Sequence, residues 1–519
     1  MTHLCVSIYV NDLAQARRDV ALAAERGADM VELRVDTFTD EMEVRSLVSS
    51  CTLPCIVTCR SRLEGGQTEL DDVQRLGLLT AAGEAGASYL DIEFATMRDN
   101  NWAGPSKPRD QRPGWIYSAH DFQSRPLGLN QLIIDLAQST ADIAKVAWQA
   151  RSVRDNIEAF ELMLQRHKPS AAICMSEPGM ISRILAKKFG AFVSFASLDS
   201  ASATAPGQVT VTDLKQIYRW DAQRASTRVY GVVGQPIAHS MSPAIHNRAF
   251  DHVGFDGVYV PFLIEGTYES FKAFMETFLE FQPLMLGGLS VTIPHKENAL
   301  RYLQERGATI EPLAELIGAV NTVIVARDGD DYTLHGQNTD YAAILDAITD
   351  TLSITRDALA GRRVAVIGAG GTGRTAVAAL ARYGADVTIY NRSADRADAL
   401  AKEFDGLSGK VAAAAIVSLG AADAEIFINT TSVGMHPNVD ASPFDSATPD
   451  ITESTLVFDT IYNPLETKLL RQARQRGART IAGIDMFVRQ AAAQFEAWTG
   501  IAAPADVMRD VVISRLEVS

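Results

Sequence analysis

Eight short β-rich runs recur between Leu4 and Ser197: LCVSIYV, MVELRVD, PCIVTCR, YLDIEFA, GWIYSAHDF, IAKVAW, AAICMSE and FVSFAS. Most are followed by a helical apolar pattern, as with Leu13, Ala16, Val20 and Ala23 after the first. Strands that alternate with helices run parallel, and eight such units predict a (β/α)8 barrel. One connection departs from the pattern. RDNNWAGPSKPRDQRPG, from Arg98 to Gly114, carries three prolines and no helical period, so its helix is expected to be lost or replaced by a loop.

The barrel gives an address to a charge in an odd place, the lysine in ADIAKVAWQA. Strand ends of such a barrel project into its mouth, and Glu32, Arg34, Arg60, His120, Lys145 and Arg183 all fall near predicted ends. A lone inward lysine could equally be a paired structural ion. Six polar ends together favour a site. Desolvation and the nearby arginines are expected to favour a neutral amine at Lys145, able to attack a ketone, with His120 moving the proton beside the resulting iminium. Three arginines point to a small carboxylate held by bidentate contacts.

Composition narrows the partners. With 519 residues, 47% hydrophobic and 21% charged, the chain is expected to divide into about two to four domains. A net charge of -15 argues against nucleic acid or an anionic membrane, so positive charge for an anionic ligand must be supplied locally. Cys51, Cys55 and Cys59 would sit on or beside one apolar strand, and no Cys/His pairs have ligand spacing, which predicts buried free thiols and no metal. MTHLCVSIYV has no basic region ahead of its apolar stretch, and no apolar run is long enough to span a bilayer; a cytoplasmic protein is expected.

The motifs ELRVD, TCRSRLEGG, SAHDF, IAKVA, CMSEPGMISR and APGQ, in that order, resemble the type I 3-dehydroquinate dehydratases over most of residues 1 to about 225. The resemblance implies that Lys145 forms an imine with the substrate ketone. It also implies that His120 removes the neighbouring proton and then protonates the departing hydroxyl, with Glu64 orienting His120. Glu32, Arg34, Arg60, Met175, Arg183, Thr204 and Gln208 would shape the pocket, with Thr204 standing where the family usually has serine. SLDSASATAPGQ looks like a linker by composition, but the resemblance makes it a loop that closes over the substrate.

A second signal follows in RRVAVIGAGGTGRTAVAALARYGADVTIYNRSADRA. Gly368, Gly370 and Gly373, with Gly371 between them, come after a β-rich run and open an alanine-rich helix, the context a dinucleotide needs. Where an NAD site commonly carries an acidic residue, the chain has Asn391 and Arg392. A guanidinium there suits a 2'-phosphate, so NADP(H) is expected; a solvated surface arginine is the competing reading.

Around this domain lie GVVGQPIAHSMSPAIHN, GGLSVTIPHKE, IGAVNT and GQNTDY, rich in hydroxyls and amides that suit a polyhydroxylated ring. Lys296 and Asp340 are an acid/base pair if the fold joins them. With INTTSVGMHP, DTIYNPLETKLL and GIDMFVRQAAAQFEAWTG, these segments resemble shikimate dehydrogenases over nearly all of residues 228 to 519. The resemblance implies that Lys296 and Asp340 handle the proton during hydride transfer, while Ser240, Ser242, Thr292, Asn321, Tyr462 and Gln490 bind ring hydroxyls and carboxylate. Ser290 stands where many members have asparagine, and Ala343 where many have glycine.

The expected organisation is therefore a barrel over 1–226 and a substrate-binding subdomain over 227–338 plus 485–519, with a Rossmann NADP-binding subdomain over 339–484. The two halves fit consecutive steps, from 3-dehydroquinate through 3-dehydroshikimate to shikimate. A dehydrogenase half acting mainly on quinate, or a scaffold with one degenerate site, are the alternatives.

Overall fold

The computed structural model describes residues 1–100, 111–205, 207–237, 240–445 and 448–518. The chain divides into two compact units, residues 1–239 with 256–286, and residues 240–255 with 287–519.

The first unit holds eight strands, β1 (His3–Tyr9), β2 (Met30–Arg34), β3 (Cys55–Thr58), β4 (Tyr89–Glu93), β5 (Gly114–Asp121), β6 (Ile143–Gln149), β7 (Ser170–Met175) and β8 (Val193–Ala196). They form one parallel sheet in the order β7-β6-β5-β4-β3-β2-β1-β8. At the seam the Phe192 amide donates to the Ser170 carbonyl at 2.8 Å, so the barrel is nearly closed. Every residue of β2, β3 and β8 is buried, because one face packs under helices and the other fills the barrel. The same unit carries the parallel pair β9 (Arg228–Gly234) and β10 (Gly257–Leu263).

The period of two along each strand builds the site. Cys5, Met30, Ile56, Ile116, Ile143, Ala171 and Val193 form an apolar cluster inside the barrel. Two residues further along their strands, the side chains on the same face include Ser7, Glu32, Thr58, Ser118 and Lys145, with Asp91 contributed by β4. A polar layer thus sits on an apolar floor. The connection after β4 corrects the expectation of a missing helix: a short one, Phe94–Asp99, forms ahead of the prolines, and residues 101–110 lie outside the described residues. The five cysteines are free thiols, four buried and Cys51 half-buried.

The second unit contains β11 (Leu286–Val291), β12 (Thr309–Ile310), β13 (Thr322–Asp328) and β14 (Asp331–Gln337), with β13 antiparallel to both β11 and β14. Its other sheet is parallel: β15 (Arg363–Ile367), β16 (Asp386–Asn391), β17 (Val411–Ala415), β18 (Ile426–Asn429), β19 (Leu456–Asp459) and β20 (Arg479–Ile481). The order β17-β16-β15-β18-β19-β20 is that of a Rossmann fold, with the switch point at β15. Val364 and Val366 pack into one core and Ala365 and Ile367 into another, so both faces of this sheet are covered.

Candidate active sites

In the barrel the polar layer closes around Lys145. Its Nζ lies 2.8 Å from Asp91 Oδ2 and 3.4 Å from Glu32 Oε1, and 4.0 Å from the centre of the Phe195 ring. Asp91 is shared: Arg60 Nη2 reaches its other oxygen at 2.8 Å, and Ser118 Oγ donates to that oxygen at 2.6 Å. Burial would raise the Asp91 carboxyl, but Arg60 and Lys145 outweigh it and hold it well below the usual carboxylate range. Glu32 accepts from Ser7 Oγ at 2.8 Å and Thr58 Oγ1 at 3.0 Å. The network satisfies the charges it buries.

This corrects the expected surroundings of the lysine. The charged groups in contact with it are carboxylates; Arg60 shares Asp91 with it, and the other two arginines are engaged elsewhere. Arg34 forms a bidentate pair with Asp36, at 2.6 and 3.1 Å, and Arg183 Nη1 donates to the Cys174 carbonyl at 2.9 Å. Register is the reason. Lys145 is level with Ser118 across the sheet, whereas Arg60 lies beyond Thr58 and reaches inward only through its long side chain.

His120 sits at the mouth end of β5. Its backbone N–H and its ring Nδ1 both lie 3.0 Å from Glu64 Oε2. The turn that carries Glu64 folds so tightly that a Cβ on Gly66 would lie 1.8 Å from the Arg60 carbonyl oxygen. Burial pushes the imidazole well below its ordinary value, helped by Arg60 and Lys145, and the same burial raises Glu64 to about 7 against the pull of Arg60. Arg183 is lowered to about 10 by burial, and its buried Nε has no hydrogen-bond partner among the described residues. A buried guanidinium N–H without an acceptor is a place for an anionic ligand.

Glu32, Arg34, Arg60, Glu64, His120, Lys145, Met175, Arg183, Thr204 and Gln208 all line one cavity. The Ser/Ala-rich segment folds back on itself there, with the Thr204 amide donating to Gln208 Oε1 at 2.8 Å. Sequence reasoning missed Asp91, Glu93 and Ser118. The signal was present in YLDIE, where Asp91 and Glu93 alternate with apolar residues on a buried strand.

In the second unit, Lys296 opens the helix Lys296–Glu305, and Asp340 stands in the first turn of Thr339–Leu352, whose N-cap Asn338 accepts from the Asp340 amide at 3.1 Å. Lys296 Nζ donates to Asp340 Oδ2 at 2.6 Å. Asn321 adjoins this pair, its Oδ1 accepting from the Thr339 amide at 2.8 Å. Ser240 Oγ accepts from the Ser242 amide at 3.3 Å, and Thr292 follows directly on β11, its carbonyl accepting from the His295 amide at 2.8 Å. Tyr462 and Gln490 form a separate group around Phe487, the tyrosine stacked at 4.5 Å and the glutamine donating to its carbonyl at 3.0 Å.

The glycine turn lies between β15 and the helix Gly371–Arg382. Gly368 has φ of +111°, and a Cβ on Gly373 would lie 2.3 Å from the Gly368 carbonyl oxygen, so these two close the turn. A Cβ on Gly370 or Gly371 would meet nothing within 4 Å. That open space, in front of a helix N-terminus, fits a dinucleotide pyrophosphate. Asn391 ends the adjacent strand β16, and Arg392 follows it, exposed.

Comparison with known proteins finds matches to both halves of the chain. The type I 3-dehydroquinase model matches residues 4–225, the shikimate dehydrogenase substrate binding domain 232–323, the shikimate/quinate 5-dehydrogenase model 351–469, and the shikimate 5'-dehydrogenase C-terminal domain 483–513. The chloroplastic bifunctional 3-dehydroquinate dehydratase/shikimate dehydrogenase of Arabidopsis thaliana is 36% identical over 97% of this chain and 83% of its own length. The chain belongs to the bifunctional 3-dehydroquinate dehydratase/shikimate dehydrogenases.

Among relatives of the dehydrogenase half alone, the shikimate dehydrogenase (NADP(+)) of Methanosarcina mazei is 40% identical over 56% of this chain and 99% of its own. A solved structure of dehydroquinate dehydratase and shikimate dehydrogenase from S. pombe AroM is 25% identical, covers 99% of this chain and 98% of that one, and superimposes with a TM-score of 0.46. In this bifunctional member, the barrel cavity falls wholly in the first unit, while the Lys296–Asp340 pair and the glycine turn fall in the second. Among the described residues, no helix is long and apolar enough to cross a membrane, and no group of His, Cys, Asp and Glu could hold a metal ion.

Proposed function

We propose that the chain converts 3-dehydroquinate to 3-dehydroshikimate at Lys145 and reduces that product to shikimate at the Lys296–Asp340 pair with NADPH. The observation that carries the first half is the shared cavity, in which a buried amine, a neutral imidazole and a guanidinium with an unused N–H converge. Lys145 attacks the ring ketone as a free amine. Because Arg60 already claims Asp91, Glu32 at 3.4 Å is the contacting carboxylate left to take the proton. The ketone oxygen departs as water when the imine forms and returns when it is hydrolysed. His120, with Nδ1 on Glu64, removes a proton from the carbon beside the iminium and gives it to the departing hydroxyl, so the net change is loss of one water. Arg183 pairs with the substrate carboxylate, and Glu32, Arg34, Arg60, Met175, Thr204 and Gln208 complete the pocket.

In the second half, Gly368, Gly370, Gly371 and Gly373 would hold the pyrophosphate, and Asn391 with Arg392 the phosphorylated ribose. NADPH, when bound, supplies the hydride. Lys296, held by Asp340, delivers a proton to the ring oxygen and stabilises the charge that develops there. Ser240, Ser242, Thr292, Asn321, Tyr462 and Gln490 bind the ring hydroxyls and carboxylate. The NADP(+) named for the Methanosarcina relative supports this choice of cofactor. We take residues 1–226 as the dehydratase, 227–338 plus 485–519 as the substrate-binding part of the dehydrogenase and 339–484 as its nucleotide-binding part. Free cysteines throughout support a reducing compartment such as the cytoplasm.

The test is to incubate the protein with 3-dehydroquinate and NADPH and identify the product by chromatography. Shikimate is expected. Lys145→Ala should abolish dehydration and leave reduction of 3-dehydroshikimate intact, and Lys296→Ala should slow reduction by about 10²–10⁴-fold with dehydration unchanged. Loss of both activities from either substitution, in a protein that still unfolds cooperatively at its normal temperature, would contradict the assignment.

A further inference from the structure

Helix Gly483–Thr499 carries two glutamines one turn apart, Gln490 and Gln494. The second has no place in the site described above, yet it is only 2% exposed, and a buried amide is costly unless all its polar atoms are used. They are used in a directed way. Gln494 Oε1 accepts from Ser290 Oγ at 2.8 Å, and Nε2 donates to Thr322 Oγ1 at 3.1 Å and to the Asn321 carbonyl at 3.4 Å. Since Thr322 Oγ1 accepts from the glutamine, its own proton goes outward, to Asn321 Oδ1 at 2.6 Å.

That proton, together with the Thr339 backbone N–H, holds the Asn321 amide in one orientation. Its oxygen receives the Thr322 hydroxyl and the Thr339 amide, the latter at 2.8 Å, while Nδ2 donates to Thr339 Oγ1 at 3.1 Å. A flipped amide would set an NH2 group against two donors. In the observed orientation one of the two Nδ2 protons goes to Thr339 Oγ1, and among the described residues the other has no acceptor. Thr339 immediately precedes Asp340, which holds Lys296, so the same array fixes the start of the helix that carries Asp340.

We propose that Gln494 is a positioning residue for the dehydrogenase: acting through Thr322, it fixes the amide of Asn321 so that one N–H is presented to a hydroxyl of the ring substrate. The inference rests on the assignment of Asn321 and the Lys296–Asp340 pair to reduction of 3-dehydroshikimate. Ser290, donating to Gln494 Oε1, orients the glutamine from behind.

The experiment uses the full chain and steady-state reduction of 3-dehydroshikimate by NADPH. Gln494→Met keeps the length of the side chain and removes its hydrogen bonds, Thr322→Val removes only the relay, and Thr322→Ser restores the hydroxyl. Gln494→Met and Thr322→Val are each expected to raise KM for 3-dehydroshikimate about tenfold, the scale of one lost substrate hydrogen bond, with KM for NADPH and the dehydratase activity unchanged. Thr322→Ser should return KM to near its original value. In an Asn321→Ala background, Gln494→Met should add little further, because the group it positions is gone. An unchanged KM in Thr322→Val, full additivity with Asn321→Ala, or equal rises in both KM values would overturn the proposal. If Gln494→Met does not fold, the two Thr322 variants and Asn321→Ala/Thr322→Val decide alone. A wild-type chain that fails to reduce 3-dehydroshikimate would overturn the underlying assignment instead.

Discussion

Glu64 controls which nitrogen of His120 faces the cavity. As a carboxylate it accepts from both the His120 backbone N–H and the ring Nδ1–H, which leaves the Nε2 lone pair as the base. Burial raises Glu64 to about 7 and pushes His120 well below its ordinary value, so on acidification the proton goes to the carboxyl before the ring. A protonated Glu64 can donate to Nδ1, moving the ring proton to Nε2 and removing the base. The ionised, productive form is the one present above about 7. Dehydratase kcat/KM should therefore rise with pH through about 7 as a single ionisation. In Glu64→Gln the rate should be lower by about 10²–10⁴-fold and flat across that range. A pH profile of kcat/KM for both proteins checks this, and a limb near neutrality that survives in Glu64→Gln would assign it to another group. The motifs made Lys145, His120 and Glu64 legible in the sequence. The charge partners of Lys145 were not, because an alternation such as Asp91 and Glu93 among Leu90 and Ile92 is equally that of a half-exposed strand. Barrel closure is what turns that face inward. Gln494 was hidden for a similar reason: a polar residue on a helix reads as solvated until a strand edge covers it.

At the scale of elements, the glycine turn shows how one motif mixes two demands. Gly373 is required by packing, since a Cβ there would lie 2.3 Å from the Gly368 carbonyl oxygen. Gly370 is not: its backbone is extended, with φ of -90°, and the space in front of it is open. Gly370→Ala should fold, at a cost below about 1 kcal/mol for the poorer helix cap, and raise KM for NADPH because a methyl group intrudes where the pyrophosphate approaches the backbone. Gly373→Ala should instead destabilise the protein by about 1–3 kcal/mol through overpacking. Thermal unfolding and NADPH kinetics on the two variants separate the effects, and equal destabilisation would show that the turn has no open side. The eight barrel strands follow from β-rich runs that alternate with helical patterns, and the nucleotide-binding unit from its glycine context, so this level was largely legible. The short helix Phe94–Asp99 was not, since its six residues are too few to show a helical period beside the proline-rich stretch.

For the whole molecule, the decisive point is that the reacting groups proposed for each step fall within one unit. The amine, imidazole and guanidinium of the dehydratase line a cavity of the first unit, and the Lys296–Asp340 pair and glycine turn belong to the second. On this assignment each site should work with its counterpart disabled, and the intermediate should pass through bulk solvent. Mixing Lys145→Ala with Lys296→Ala tests this directly. An equimolar mixture given 3-dehydroquinate and NADPH should produce shikimate after a lag, at about half the steady rate of the same total amount of wild-type protein, because half of each kind of site remains. Added 3-dehydroshikimate should shorten the lag. A mixture that accumulates 3-dehydroshikimate far beyond the wild-type level without reaching that rate would show that transfer within one chain contributes to flux. Joining the two enzymes in one chain would then do more than fix their ratio, which is all that two self-contained sites require of it.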